Sequence, residues 1–231
     1  MIDLVEIARL APPDPRANVA EHLESLEQQA HAARLGMWIF LGSETLLFAG
    51  LFALYVVYRV EHPLGFGRAT HYNTWALASV NTAVLLTSSF TAAMALHALR
   101  EGRRARTVVL LLVTILFGGA FLAIKLTEYG KHFHDGIYPG GVGRFFVEHA
   151  SADDRGMSLF FTLYFAMTGL HAVHVVAGMG ILFFLALQTM RGRVNAVNAH
   201  PVELGVTYWH LVDLVWIFLW PLFYLMPGGA S

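Results

Sequence analysis

The chain has 231 residues, of which 56% are hydrophobic and only 13% are charged. This charged share is about half that of an ordinary soluble domain, so we expect most of the chain to lie in a lipid bilayer. The formal net charge of −1 argues against a nucleic-acid partner. The lack of cysteine excludes disulfides, zinc–thiolate sites, iron–sulfur clusters and thiol catalysis within this chain.

The first 33 residues are polar and rather acidic, and they lack the basic start, short apolar run and cleavage site of a secretory signal. They predict a retained cytoplasmic tail with a short surface helix over residues 18–33. Asn18 is the expected N-cap, and Glu21 occupies the capping-box position three residues later. Residues 34–231 are then the membrane domain.

Five apolar stretches reach the roughly 20 residues that a membrane-crossing helix needs. They predict an all-α bundle of five transmembrane helices. The fourth stretch is the longest, which favours a tilt or a helical extension outside the membrane. The predicted spans are residues 34–59, 75–99, 107–131, 157–190 and 204–226.

The arginine-rich loops predict the orientation of the bundle. REGRRAR follows the second span at 100–106, and MRGRVNAVNAH follows the fourth span at 190–200. Both lie on the same side as the N-terminus, so the positive-inside rule predicts a cytoplasmic N-terminus and an outside C-terminus.

The longest connection, residues 132–155, then lies outside, and its glycines and histidines predict an ordered cap or a partner contact. Its histidines are His132, His134 and His149. A metal site there lacks preformed helical spacing, so we interpret them as polar surface histidines.

Ionisable side chains within the spans are few, and each costs roughly 2.5–3.5 kcal/mol on insertion scales unless it faces protein or water. They are Glu44, Lys125, Glu128, His171, His174, His210 and Asp213, with His97 near a helix end.

Helical spacing predicts which of these side chains meet. A rise of about 1.5 Å per residue puts Glu44, His210 and Asp213 at one level, with His174 about one turn away. Positions three apart share a helix face. Two such faces are predicted, one formed by His171 and His174 and one by His210, Asp213 and Trp216.

Glu44 is compatible with a bilayer if it meets a histidine from another helix or stays protonated. Three interpretations follow: a hydrogen-bond hub that fixes helix packing, a protonatable site on or beside a proton route, and a metal ligand. Haem ligation requires histidines on facing helices, which leaves His174 with His210 as the pair to consider.

Other polar and small residues have local explanations. Lys125 is expected to snorkel to the outer interface, Glu128 with Tyr129 to pair with the outer loop, and His97 to be interfacial. Pro221 removes the hydrogen bond to the Ile217 carbonyl and predicts a kink. The small residues that predict close helix approach are Gly169, Ala172, Gly178 and Gly180.

Five phrases, in order along the chain, resemble the third subunit of haem–copper oxidases. They are LGMWIFLGSETLLFAGLFALY, LHALREG, FLAIKLTEYGKH, LFFTLYFAMTGLHAVHVVAGMGI and YWHLVDLVWIFLWPLFYL. They touch all five spans, and the first, fourth and fifth are the most specific. The longer mitochondrial form has seven helices, and its first two have no counterpart here, as in many bacterial members.

The resemblance implies a cofactor-free helical subunit in the bacterial inner membrane, beside a catalytic subunit I and a subunit II. The haems and copper belong to the catalytic neighbour, which reduces oxygen to water. The subunit is expected to bind phospholipid, to sustain proton uptake and to protect the neighbour from inactivation during turnover. Supercomplex partners are also compatible with the family.

The resemblance also assigns individual residues. Glu44 matches the family's intramembrane glutamate, and Glu128 matches the acidic residue that closes the third helix here. The residues that match the histidine-rich helices are His171, His174, His210, Asp213 and Trp216.

Three functions follow from these observations. The first is subunit III of a bacterial cytochrome c oxidase, favoured because FLGSETLLF and YWHLVDLVWIFLW resemble that branch most. The second is the same subunit of a quinol oxidase, or the accessory protein of a nitric oxide reductase. The third is an independent proton or ion conductor built around Glu44, disfavoured because no acidic series continues from Glu44 toward the outer side.

Overall fold

The computed structural model describes residues 26–148 and 154–225. These residues form seven α-helices and no strand, which confirms the predicted all-α fold. The helices are α1 (Leu26–Glu61), α2 (Pro63–Thr70), α3 (Trp75–Arg100), α4 (Arg104–His134), α5 (Arg144–Glu148), α6 (Asp154–Met190) and α7 (His200–Trp220), followed by a π-helical turn, Pro221–Leu225.

Five of these helices are long and apolar enough to cross a membrane, as predicted. The fourth is the longest of them, with 36 residues in its candidate span. Four of the five begin before their predicted first residues, because polar residues at the interface extend each helix beyond its apolar centre. The spans are His31–Glu61, Trp75–Arg100, Arg104–His134, Arg155–Met190 and His200–Leu225.

The structure shows no break in the helix at residue 33, where the surface helix was predicted to give way to the first span. One helix, α1, runs without interruption from Leu26 to Glu61. The sequence QAHAAR at 29–34 contains three alanines and no glycine or proline, so it favours continuation of the helix. The predicted cap at Asn18 and Glu21 lies outside the described residues.

The chain divides into two compact units, residues 1–42 and 43–231. In the second unit four helices pack as a closed ring, in which α3 and α6 each contact both α4 and α7. The indole rings of Trp209 and Trp216, both on α7, are fully buried. These two rings are the largest side chains of the core.

Two glycines allow α7 to approach its neighbours. A Cβ on Gly118 of α4 or on Gly178 of α6 would lie 2.8 Å from the Trp209 ring. The prediction of close approach is therefore confirmed for Gly178. A Cβ on Gly180 would meet nothing within 4 Å, so this glycine does not serve helix contact within the described residues.

The short helix α2 was not predicted, because Gly65 and Gly67 resemble loop residues. Pro63 at its first turn is a helix-start signal that identifies it. Phe66 is fully buried and packs edge-to-face against Tyr55 and Phe160, with ring centroids 5.3 Å and 5.5 Å away. The helix thus closes one end of the bundle.

The last α-helix ends at the proline where the sequence predicts a kink. α7 stops at Trp220, and the chain continues from Pro221 as a π-helical turn. Proline has no N–H to donate to the Ile217 carbonyl, which explains the change of helix type. The Tyr55 hydroxyl donates a hydrogen bond of 2.6 Å to the Leu222 carbonyl oxygen and holds this turn against α1.

The described part of the predicted outer connection is an ordered cap. Ile137 and Phe145 are 1% and 4% exposed, and the Arg144 guanidinium donates a 2.8 Å hydrogen bond to the His134 carbonyl oxygen. A Cβ on Gly143 would overlap the Gly136 carbonyl oxygen, so this turn requires glycine. Residues 149–153 lie outside the described residues.

Candidate functional site

Glu44 of α1 and His174 of α6 form an ion-pair-like contact between two helices. Oε2 of Glu44 lies 2.8 Å from Nε2 of His174, and the two side chains are only 17% and 16% exposed. The ring of Phe48 packs edge-on against His174, with 5.4 Å between the centroids. Of the two conditions that the sequence set for Glu44, a histidine partner or a protonated carboxyl, the structure shows the histidine partner.

The second ring nitrogen of His174 determines how many protons the pair holds. Nδ1 lies 2.9 Å from the Leu170 carbonyl oxygen. A carbonyl oxygen only accepts, so Nδ1 carries a hydrogen. At 2.8 Å, Nε2 and the carboxyl oxygen cannot both present lone pairs, and one proton must lie between them. The pair is therefore neutral as a unit, and it holds one transferable proton.

His171 lies one turn from His174 but does not join this hydrogen bond. Its ring is fully buried between Phe121 and Trp216, with centroids 5.5 Å and 5.4 Å away. Neither ring nitrogen has a hydrogen-bond partner among the described residues. Aromatic contacts thus surround this histidine.

The predicted level shared by Glu44, His210 and Asp213 does not form one cluster. His210 turns toward α3, where its Nδ1 lies 2.6 Å from the hydroxyl oxygen of Ser89. Asp213 is 4% exposed and also faces α3. These residues are separated from Glu44 by the rotation of α7 about its own axis. The sequence does not reveal this rotation, because the span is apolar on all sides.

A series of indole hydrogen bonds joins α7 to α3. The Nε1 of Trp209 donates to the Ser88 hydroxyl oxygen at 3.1 Å, and the Nε1 of Trp216 donates to the Thr82 hydroxyl oxygen at 3.0 Å. The predicted shared face of His210, Asp213 and Trp216 is thereby confirmed as the face toward α3. The hydroxyl residues of α3 were missed, although their recurrence about every two turns is visible in the sequence.

Lys125 does not snorkel to the interface, so that prediction is wrong. Its side chain is 5% exposed and lies inside the bundle. The ammonium nitrogen donates hydrogen bonds to Glu128, Tyr164 and Tyr224 at 2.9, 2.9 and 2.8 Å. All three N–H donors of the ammonium group are thus satisfied by protein. The buried position is therefore more favourable than one in which the side chain extends to the membrane interface.

The predicted pairing of Glu128 and Tyr129 with the outer loop is also wrong. The second carboxyl oxygen of Glu128 accepts a 2.7 Å hydrogen bond from the Tyr224 hydroxyl. The Tyr129 hydroxyl lies 2.5 Å from the hydroxyl oxygen of Thr168 on α6. Both residues therefore tie α4 to other helices and to the C-terminal turn.

The model of the family described as cytochrome c oxidase subunit III matches residues 21–227. The chain belongs to this family.

Relatives of this subunit III are named as subunit 3 of quinol oxidases and of cytochrome c oxidases. The chain is 30% identical to quinol oxidase subunit 3 of Bacillus spizizenii, over 91% of this chain and 98% of that protein. It is 30% identical to cytochrome c oxidase subunit 3 of Bacillus sp. (strain PS3), over 83% and 84%. It is 29% identical to cytochrome bo(3) ubiquinol oxidase subunit 3 of Pseudomonas aeruginosa, over 83% of each chain.

The family places this subunit III in multi-subunit haem–copper oxidase complexes, which are oxidoreductases of the respiratory chain. With its five apolar helices, it is a multi-pass membrane protein.

The other histidines of this subunit III have separate surroundings. His132 is 4% exposed and packs against Tyr164, contrary to the predicted surface position, whereas the His134 side chain is 86% exposed. His149 lies outside the described residues. In the part of the chain that the structure describes, no three or more His, Asp or Glu side chains are arranged to hold a metal ion.

His97, predicted to be interfacial, lies in the last turn of α3. Its side chain is 65% exposed and lies 3.4 Å from Glu101 at the end of α3.

Proposed function

We propose that this subunit III serves a cytochrome c oxidase of the bacterial inner membrane, where it supports proton uptake and the stability of the catalytic subunit. The haems and copper belong to subunit I, which works with subunit II and reduces oxygen to water. The neutral Glu44–His174 pair carries the proposal, because it holds one transferable proton at membrane depth. Such a pair can pass its proton on and take up another in return, so it carries no net charge in the bilayer between transfers.

A cytoplasmic N-terminus is part of the proposal. Arg104 lies beside Gly192, with a guanidinium nitrogen 3.1 Å from where a glycine Cβ would stand. The two arginine-rich loops therefore meet at one end of the bundle. The positive-inside rule favours the cytoplasm for that end.

We also propose that a phospholipid acyl chain occupies the groove between α1 and α7. This groove has a volume of about 210 Å³ and an almost wholly apolar lining. Its lining includes Phe48 and Phe52 from α1 and Leu211, Leu214 and Phe218 from α7. Native mass spectrometry of the purified complex tests this, since retained lipid should be lost when Leu214 is replaced by Trp.

A quinol oxidase is the second candidate. It is supported by the quinol oxidase relative in Bacillus spizizenii, which aligns over 98% of its length at the same 30% identity as the cytochrome c oxidase relative.

An independent conductor is the weaker alternative. The hydrogen bonds that start at Glu44 lead through His174 to the Leu170 carbonyl oxygen, and the next histidine along α6, His171, has no hydrogen-bond partner among the described residues. Purified chain in liposomes should therefore carry no proton flux by itself.

The electron donor is tested on the complex purified through a tag on this chain. We expect a haem a signal in the optical spectrum and oxygen consumption driven by reduced cytochrome c. Consumption driven by quinol, without a response to cytochrome c, would select the second candidate.

The proton role is tested by comparing Glu44→Gln with Glu61→Gln in the same helix. The amide that replaces the Glu44 carboxyl can still donate a hydrogen bond to Nε2 of His174, so the complex should assemble, but the transferable proton is lost. We expect slower proton uptake or a shorter active lifetime under turnover for Glu44→Gln alone. Glu61 is exposed at the end of α1 and serves as the matched control. Equal behaviour of both variants and the wild type would leave Glu44 as a packing residue.

A further inference from the structure

A serine of α3 lies between two titratable side chains of α7. The Ser89 hydroxyl oxygen is 2.6 Å from Nδ1 of His210. The carboxyl of Asp213, one turn further along α7, lies near the same hydroxyl and has no hydrogen bond to it. His210 and Asp213 are three residues apart, so one hydroxyl on α3 can reach both.

The buried acid has no other described partner. Asp213 is 4% exposed, and neither carboxyl oxygen has a hydrogen bond among the described residues. An isolated ionised carboxylate is far too costly in apolar surroundings, so the group needs a proton or a hydrogen-bond donor.

A hydroxyl can donate one hydrogen bond and accept another at the same time. When Asp213 is protonated, it donates to Ser89, and Ser89 donates to Nδ1 of His210. If each proton moves one step, Asp213 becomes a carboxylate, Ser89 regains a hydrogen and His210 becomes an imidazolium. No atom is gained or lost, and the net charge of the three groups is unchanged.

The far end of this series opens at the surface of the chain. His210 is only partly buried, and its Nε2 has no hydrogen bond to a described residue, whereas both ring nitrogens of His171 are enclosed. An imidazolium at His210 can therefore release its Nε2 proton to water or to a group outside this chain. The Asp213 carboxyl itself has no such exit.

This arrangement differs from a hydrolytic triad. In such a triad the histidine lies between the serine and the acid, and it removes the proton of the serine. Here the serine lies between the acid and the histidine, so its hydroxyl relays a proton and has no free side on which to attack a substrate.

We infer that Asp213, Ser89 and His210 form a second proton-binding site, separate from Glu44–His174. In this site Ser89 is the positioning residue, because its hydroxyl holds the proton between Asp213 and His210. The inference holds for either electron donor. It also does not require that Glu44 takes part in proton uptake. The residues of the second site lie on α3 and α7, whereas Glu44 and His174 lie on α1 and α6.

Infrared difference spectroscopy of the purified complex, with isotope-labelled aspartate, tests the inference. The wild type should show a protonated carboxyl band that Asp213→Asn removes. In Ser89→Ala this band should move to higher frequency and exchange its proton for deuterium more slowly, because the hydrogen bond and the relay are lost. Ser89→Thr keeps the hydroxyl and should resemble the wild type.

Ser79→Ala is the matched control, because Ser79 is on the same helix and, among the described residues, hydrogen-bonds to the carbonyl oxygen of Trp75 alone. A wild type without a band that depends on Asp213 would overturn the inference, and so would unchanged band position and exchange in Ser89→Ala. If Ser89→Ala fails to assemble, the test uses the wild type and Ser89→Thr. Threonine keeps a hydroxyl, so loss of the Asp213 carboxyl band in Ser89→Thr would contradict the hydroxyl relay. The infrared band does not depend on which haems the complex contains. A failed test of the proton-binding site can therefore be told apart from a failed test of the proposed cytochrome c oxidase function.

Discussion

Replacing Lys125 by methionine should be among the most destabilising single changes in the bundle. Methionine has a similar length and no charge, so it removes the ammonium group while filling most of the space. The change removes three hydrogen bonds, to Glu128, Tyr164 and Tyr224. It also leaves Glu128, 4% exposed, with Tyr224 as its remaining described hydrogen-bond partner.

The magnitude follows from the burial of the pair. Removal of one member of a buried ion pair costs about 3–5 kcal/mol, because the other charge stays buried without compensation. One kcal/mol corresponds to about 2–4 °C in melting temperature for a chain of this size. We therefore expect the melting temperature of Lys125→Met to fall by about 6–20 °C.

The measurement is thermal unfolding of the purified protein in detergent, followed by near-ultraviolet circular dichroism. Lys131→Met is the control, since Lys131 is exposed on the same helix and its loss should cost no more than about 1 kcal/mol. The double variant Lys125→Met with Glu128→Gln removes both charges and should recover most of the loss. Equal melting temperatures for Lys125→Met and Lys131→Met would refute the reasoning.

Two further substitutions test the packing. Gly178→Ala should lower the melting temperature by about 2–12 °C, because its Cβ would lie 2.8 Å from the Trp209 ring and overpacking costs about 1–3 kcal/mol. Gly180→Ala in the same helix meets nothing within 4 Å and should cause no loss, so equal falls in the two variants would contradict the assigned contact. Tyr55→Phe should speed amide hydrogen exchange in the C-terminal turn, because it removes the hydrogen bond to the Leu222 carbonyl oxygen; unchanged exchange there would show that the bond does not hold the turn.

The sequence was a good guide wherever a property depends on a short stretch of chain. Five candidate spans, a disturbance of the last helix at Pro221 and the need of Glu44 for either a polar partner or a proton follow from transfer energies and local backbone chemistry. Position along a helix is equally local, which is why His171 and His174 were placed correctly on neighbouring turns of α6.

The sequence was a poor guide to which side chains meet across helices. Lys125 near a helix end was expected at the interface, but Tyr164 and Tyr224, distant in sequence, supply the hydrogen bonds that keep it inside. His210 was expected near Glu44, and Ser89, which no prediction singled out, is its actual partner.

Composition and apolar length by themselves determined that this chain has five stretches able to cross a membrane and that an ionisable group at their centre must face protein or water. Only the tertiary structure decided that Glu44 bonds to His174, that Lys125 is buried and that His210 bonds to Ser89. The physical reason is that spans apolar on all sides carry no stripe marking their inner face. Their rotation and register are set by the fit of large rings against glycines, such as Trp209 between Gly118 and Gly178.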